Sequence, residues 1–260
     1  MALTEVNVCN RALGRLGASG ITALADGSTE AAQCTLHYAE TRDALLREHP
    51  WRFAVKWVVL VQDEEADSGT SNDDNTATTL NDTDQEWAED AYDGFYIWLS
   101  GGTGANQIRE IDSNSETEIT VTVAWTTTPD TTSMYEIWEN YPPYPWDYQY
   151  DLPSDYLRFV KTDPKDDKLE IVGTLLKTDE DAITMQYVWQ NTNPDTFDPL
   201  FVEYLVVSLA VKLCMPLMQD KHLHEQLLLE QQSVRARARL ANLQEAKTVP
   251  TGETWNESRF

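Results

Sequence analysis

The sequence predicts an α+β protein: a helical bundle, made of an N-terminal helix pair and two C-terminal helices, with antiparallel β elements and an inserted small all-β domain. Three observations carry this. Apolar residues recur at spacings of three and four near both ends of the chain, while the middle alternates with period two. Turn residues cut that middle into short strands. Its charge also differs: between Leu60 and Tyr141 there are 19 Asp and Glu against Arg109 alone, which is −18 of a formal net charge of −25. Such asymmetry marks a module of its own character. The expected division is 1–61 with 141–247 as the core, 62–140 as an inserted acidic β-module, and 248–260 as an extended tail.

Val6, Cys9, Leu13 and Leu16 share one face of a first helix, with Thr4 as N-cap and Gly17 as its end. A second helix starts at the cap Ser28 and stops before Pro50; Ala32, Leu36, Ala39 and Leu46 form its expected core stripe. Val55 to Val61 reads as a strand covered on both faces. Residues 62–86 read as a loop or acidic edge, with calcium binding as the alternative for their clustered carboxylates, although the EF-hand order is absent. Four strands follow, GFYIWL, NQIREI, TEITVTVAW and SMYEIW; the third is the clearest, with Thr117, Ile119, Val121, Val123 and Trp125 on one face. Residues 140–152 read as a rigid aromatic and proline linker whose rings pack back onto the fold. Strands resume with YLRFVK, KLEIVGTLLK and AITMQYVW. Asp198 then caps an unusually apolar helix from Pro199 to Leu217. A long helix, 221–246, would span about 39 Å, its inner stripe being Leu223, Leu227, Glu230, Val234, Arg237 and Ala241. That stripe is only partly apolar and suits a subunit contact.

Several function classes find no support. No apolar run reaches the roughly 18 residues expected of a membrane span, and the N-terminus reads as a helix of the fold and not a secretory signal. Cys9, Cys34 and Cys214 are expected as separate reduced core thiols. His222 and His224 point apart on a helix, so no shared metal is expected there. Glu48, Glu86, Asp93 and Glu110 are read as solvated surface charge, not a glycosidase pair. No catalytic, cofactor-binding or metal-binding residue is assigned, and the chain is not expected to be an enzyme. A net charge of −25 is the reverse of what a duplex-DNA binder needs, but suits a surface that DNA slides past.

Three stretches carry a resemblance. They are NRALGRLGASGITAL with YAETRDALLREHPWRFA, then LPSDYLRFVK with LEIVGTLLKTDEDAITMQYVW, then DPLFVEYLVVSLAVKLCMPLMQD and the long helix after it. In this order, over roughly two thirds of the chain, they resemble the head-to-tail connector (adaptor) family of phages, of the tail tubular protein A type. Residues about 101–138 are similar to a small β-module inserted in phage virion proteins. Many family members lack it. The resemblance implies a virion protein made in the host cytoplasm. It would form a homo-oligomeric ring, a dodecamer, docked below the portal protein and above the tail nozzle or tube. DNA would pass through it without specific binding, and no membrane or cofactor is implied. In the tail, Trp255 and Phe260 are the expected anchors on the portal or an adjacent subunit, with Arg259 pairing a portal carboxylate. The competing reading is a receptor- or glycan-binding virion protein using the aromatic β-module. A cell-wall hydrolase is a further competitor, which no residue supports.

Overall fold

The computed structural model describes residues 2–245 apart from 73, 164, 166 and 167. The fold is mixed helix and strand, with four α-helices and twelve strands among the described residues. The chain divides into two compact units. The first is Met1–Val58 with Pro153–Thr162 and Met185–Phe260; the second is Val59–Leu152 with Asp163–Thr184. Sequence had placed the division at 61/62 and 140/141. The structure carries the second unit on to Leu152 and adds 163–184 to it.

In the first unit, α1 (Glu5–Leu16) is capped by Thr4, whose hydroxyl accepts from Asn7 N while the Asn7 side chain accepts from Thr4 N. Gly17, left-handed at φ 70°, ends the helix. Helix α2 (Thr29–Glu48) starts at Ser28 and ends where His49 turns extended before Pro50. Its buried face is Ala31, Cys34, Tyr38, Thr41, Arg42, Leu45 and Leu46. This corrects the expected stripe: Ala32, Leu36 and Ala39 are exposed, Leu36 to 63%. Two adjacent stripes carry apolar residues and share Leu46, and the one holding Cys34, Tyr38 and Leu45 forms the core.

Helix α3 (Pro199–Met218) is capped by Asp198, which accepts from Leu200 N and Phe201 N. It is the central helix, and α1, α2 and α4 (Lys221–Gln244) each pack on it. By length and composition it could cross a membrane, with a mean hydropathy of 1.9, so the expectation that no segment reaches that length is corrected. Its apolarity has a core explanation: Phe201, Leu205, Val207, Leu209, Ala210 and Leu213 are all fully buried. The His-Pro-Trp-x-Phe-Ala stretch locks onto it. Trp51 lies edge-on to Phe201 at 5.1 Å and donates from Nε1 to Leu45 O at 2.8 Å; Phe53 packs on Phe201 at 4.9 Å.

The strands of this unit are β1 (Val55–Val59), β9 (Tyr156–Asp163) and β12 (Thr184–Trp189), in the order β1-β12-β9. β1 is therefore an edge strand, not one covered on both faces. Trp57, Val59 and Val61 are 46%, 72% and 74% exposed. Lys161 lies over the Trp57 ring at 5.1 Å.

The second unit holds a six-stranded antiparallel sheet, β2-β7-β4-β5-β6-β3. Its strands are β2 (Asp67–Thr70), β3 (Thr79–Asn81), β4 (Tyr96–Gly101), β5 (Ile108–Asn114), β6 (Glu118–Val121) and β7 (Met134–Trp138). Asn72 N donates to Asn81 O at 2.7 Å, which draws the two edges together around a core of Leu80, Ile97, Leu99, Ile111, Ile119 and Ile137. The acidic stretch expected as a loop or acidic edge thus supplies both edge strands. β6 ends early at Val121. Val123 points out, 61% exposed, and Trp125 returns to the core, its backbone N–H donating to Ala77 O. A smaller antiparallel sheet joins β8 (Tyr148–Asp151), β11 (Leu175–Thr178) and β10 (Glu170–Val172). Residues 141–144 fold onto this unit: Tyr141 sits edge-on to Tyr96 at 5.5 Å and Tyr144 lies 5.9 Å from Trp98.

Candidate assembly surface

Among the described residues α4 is the longest element and the helix least covered by its own chain. Asp220 caps it, accepting from His222 N and Leu223 N. Only Leu227, Val234 and Ala238 are buried on it. Polar clamps then fix its rotation about its axis. Gln231 donates to Ser208 Oγ at 2.9 Å, Arg237 pairs with Glu203 at 3.1 Å, and Arg15 pairs with Glu230. Arg235 and Arg239 both pair with one oxygen of Glu48, whose other oxygen accepts from the Tyr204 hydroxyl at 2.8 Å. Burial and the Glu48 carboxylate push the Tyr204 phenol up, so it stays a donor. Two sequence expectations are corrected here. Glu48 is not a solvated surface charge but the common partner of three side chains. Arg237 is not on the inner stripe; Ala238 takes that place.

With the rotation fixed, Leu229, Ser233, Ala236, Leu240 and Leu243 all face outward. Their spacing of four, three, four and three makes one straight seam on a helix. Leu229, Leu240 and Leu243 are 69%, 57% and 58% exposed. A second apolar surface lies on α2 and the loop before it, a groove lined by Leu24, Ala25, Ala32, Thr35 and Leu36.

Next to the end of α4 is a groove lined by His49, Pro50, Arg52, Val55, Val160 and Leu243. Arg52 N donates to Asn242 Oδ1 at 2.9 Å, so the Asn242 amide nitrogen faces His49 Nε2 at 2.9 Å and donates to it. Burial, then the guanidiniums of Arg239 and Arg158, hold His49 below its ordinary pKa, against the opposing Glu48 carboxylate.

Elsewhere several buried polar side chains pair within the chain. Cys9 and Cys34 are not separate as expected: both are fully buried, on α1 and α2, and lie close enough to perturb each other. The neighbouring thiol and burial push Cys9 up, while Cys9 draws Cys34 down against its burial. In the second unit the buried Asp82 accepts from Tyr135 Oη at 2.6 Å, and Asp67 accepts from Trp87 Nε1 at 2.6 Å. Lys177, buried among β11 neighbours, donates to Pro142 O at 2.7 Å, and desolvation lowers its pKa. Glu86, Asp93 and Glu110 are exposed. Among the described residues no group of three His, Cys, Asp or Glu side chains could hold a metal ion. His222 Nε2 lies 3.1 Å from Gln226 Nε2. The expected anchors Trp255, Arg259 and Phe260 lie outside the described residues. Sequence reasoning missed the α4 seam because the inner and outer stripes of that helix hold similar numbers of leucines. The 4-3-4-3 spacing of Leu229 to Leu243 was the available signal.

The chain matches no protein-family model and no curated protein.

Proposed function

We propose that this chain is a structural ring subunit of a phage head-to-tail connector, of the tail tubular protein A type, joining the portal to the tail nozzle around the DNA exit channel. The observation that carries the reading is the outward seam of α4. A helix rotationally fixed by four sets of polar contacts presents three large exposed leucines in line. Contiguous exposed apolar surface of this kind marks a protein contact. In this reading α1 to α4 form a helical bundle, the bundles form a dodecameric ring in the virion, and 62–140 is a displayed insertion. Trp255 and Phe260 anchor the tail on the portal or a neighbour, with Arg259 on a portal carboxylate.

Charge supports the same reading. The first unit holds 15 Lys and Arg against 16 Asp and Glu, a net −1. The second holds 4 against 28, a net −24. A near-neutral unit can surround DNA without gripping it, and the acidic unit repels phosphates. The test is electron microscopy of the purified chain, alone and with its portal, beside a duplex-DNA binding assay at physiological salt. Annular particles on the portal and no DNA binding are expected. A chain that stays monomeric with portal present, or that binds DNA at nanomolar concentration, overturns the proposal.

One observation favours a second reading, glycan binding by the β-module: Tyr141 and Tyr144 are 51% and 45% exposed. Aromatic rings of this exposure stack on sugars. Retention of the chain on host-envelope polysaccharide, lost in Tyr141→Ala with Tyr144→Ala, would select it.

A further inference from the structure

We infer that the α4 seam of one copy seats on the α2 groove of the next copy, so that the contact is head-to-tail. The inference rests on the ring reading above and names the two surfaces that make it. α2 and α4 both pack on α3, and each turns its exposed apolar face away from it. The two faces are therefore different patches of one unit, and a contact between unlike patches repeats from copy to copy. The seam is a row of projecting leucines, and the α2 surface is an open, shallow depression lined mostly by small residues, with Leu36 projecting at one side of it. Their rims are opposite in charge over part of their length. Arg235, Arg237 and Arg239 flank the Ala236–Leu240 part of the seam, with Glu225 and Glu230 nearer Leu229, and Asp26, Glu30 and Glu40 lie beside the groove, Glu40 being paired with Lys212. The arginines' internal pairs leave donors free, since each guanidinium carries five N–H groups. An α4-on-α4 contact would instead bring two arginine-flanked seams together.

Paired cysteines test this. Leu36→Cys and Leu240→Cys are made singly and together, and treated with a short bismaleimide; the native cysteines are fully buried. Mixing the two single variants should give cross-linked dimers. The double variant should give a ladder of higher multimers, and neither single variant alone should link. Leu36→Glu, on an exposed site, should leave the helical circular dichroism intact and weaken self-association at least tenfold. Linking by Leu240→Cys alone would overturn the inference in favour of a symmetric α4 pair. Closed rings on the portal without any 36–240 link would overturn the inference and leave the ring reading standing. A ladder without rings on the portal would do the reverse.

Discussion

Glu48 and His49 sit at the end of α2, where two neighbouring side chains do separate jobs. Glu48 takes Arg235, Arg239 and Tyr204, so Glu48→Ala leaves two cations and a hydroxyl without their acceptor. The expected cost is about 2 kcal/mol, and that of Tyr204→Phe about 1 kcal/mol, read as shifts in urea midpoint. A smaller effect of Glu48→Ala than of Tyr204→Phe would mean that the arginines contribute nothing. His49 must stay neutral, because Asn242 donates to Nε2 and a protonated ring would set donor against donor. Its folded pKa is depressed from 6.5, so the unfolded chain binds the proton first. Stability is then full above about pH 6.5 and is lost as pH falls from there through the lower folded pKa. His49→Gln should flatten this loss between about pH 7 and 5. An unchanged pH profile in that variant would assign the slope to other groups.

At the scale of elements, burial decides which face of a helix matters. Leu227 is 4% exposed and Leu229 69% on the same helix. Leu227→Ala should cost about 3 kcal/mol, whereas Leu229→Ala should stay within about 0.5 kcal/mol by chemical denaturation while weakening assembly. Equal costs would place Leu229 in the core. In the β-module, Gly102 has φ 72° and a Cβ there would meet Thr132 O at 1.8 Å. Gly102→Ala should therefore cost on the order of 3 kcal/mol. Helix ends were legible in the sequence because caps are local: Thr4, Gly17, Ser28 and Asp198 all act where their residue types predict. Helix faces were legible only in part. On α2 two apolar stripes competed, and nothing local tells Leu36 from Tyr38. Strand ends failed where long-range pairing decides. The alternation through Trp125 continues past Val121, but after one more bond, Thr122 N to Glu110 O at 3.0 Å, the chain leaves β5 and Trp125 turns its backbone N–H to Ala77 O. The candidate surface was the least legible feature, since exposure of Leu240 depends on clamps from Glu48 and Glu203, distant in sequence.

At the scale of the molecule, charge separates the two units more sharply than their strand content does. A net −24 on the second unit brings its carboxylates into mutual repulsion, and only 4 basic residues offset it. The first unit, at −1, has no such excess. Salt screens repulsion between exposed charges once the Debye length falls below their spacing, from roughly 20 Å at low salt to under 10 Å near physiological strength. Raising sodium chloride from about 20 to about 200 mM should therefore raise the melting temperature of the second unit by a few degrees. The first unit, held by Trp51 and α3, should move little or fall slightly, because screening also weakens the pairs at Glu48 and Glu203. Scanning calorimetry reads both, with Leu227→Ala marking the transition of the first unit and Gly102→Ala that of the second. Where the transitions overlap, hydrogen exchange followed by mass spectrometry separates Ile97 and Ile119 peptides from Leu205 and Leu209 peptides. If the two sets gain protection equally with salt, the charge partition does not govern stability, and the acidic unit must hold its carboxylates far enough apart in water to be indifferent to one another.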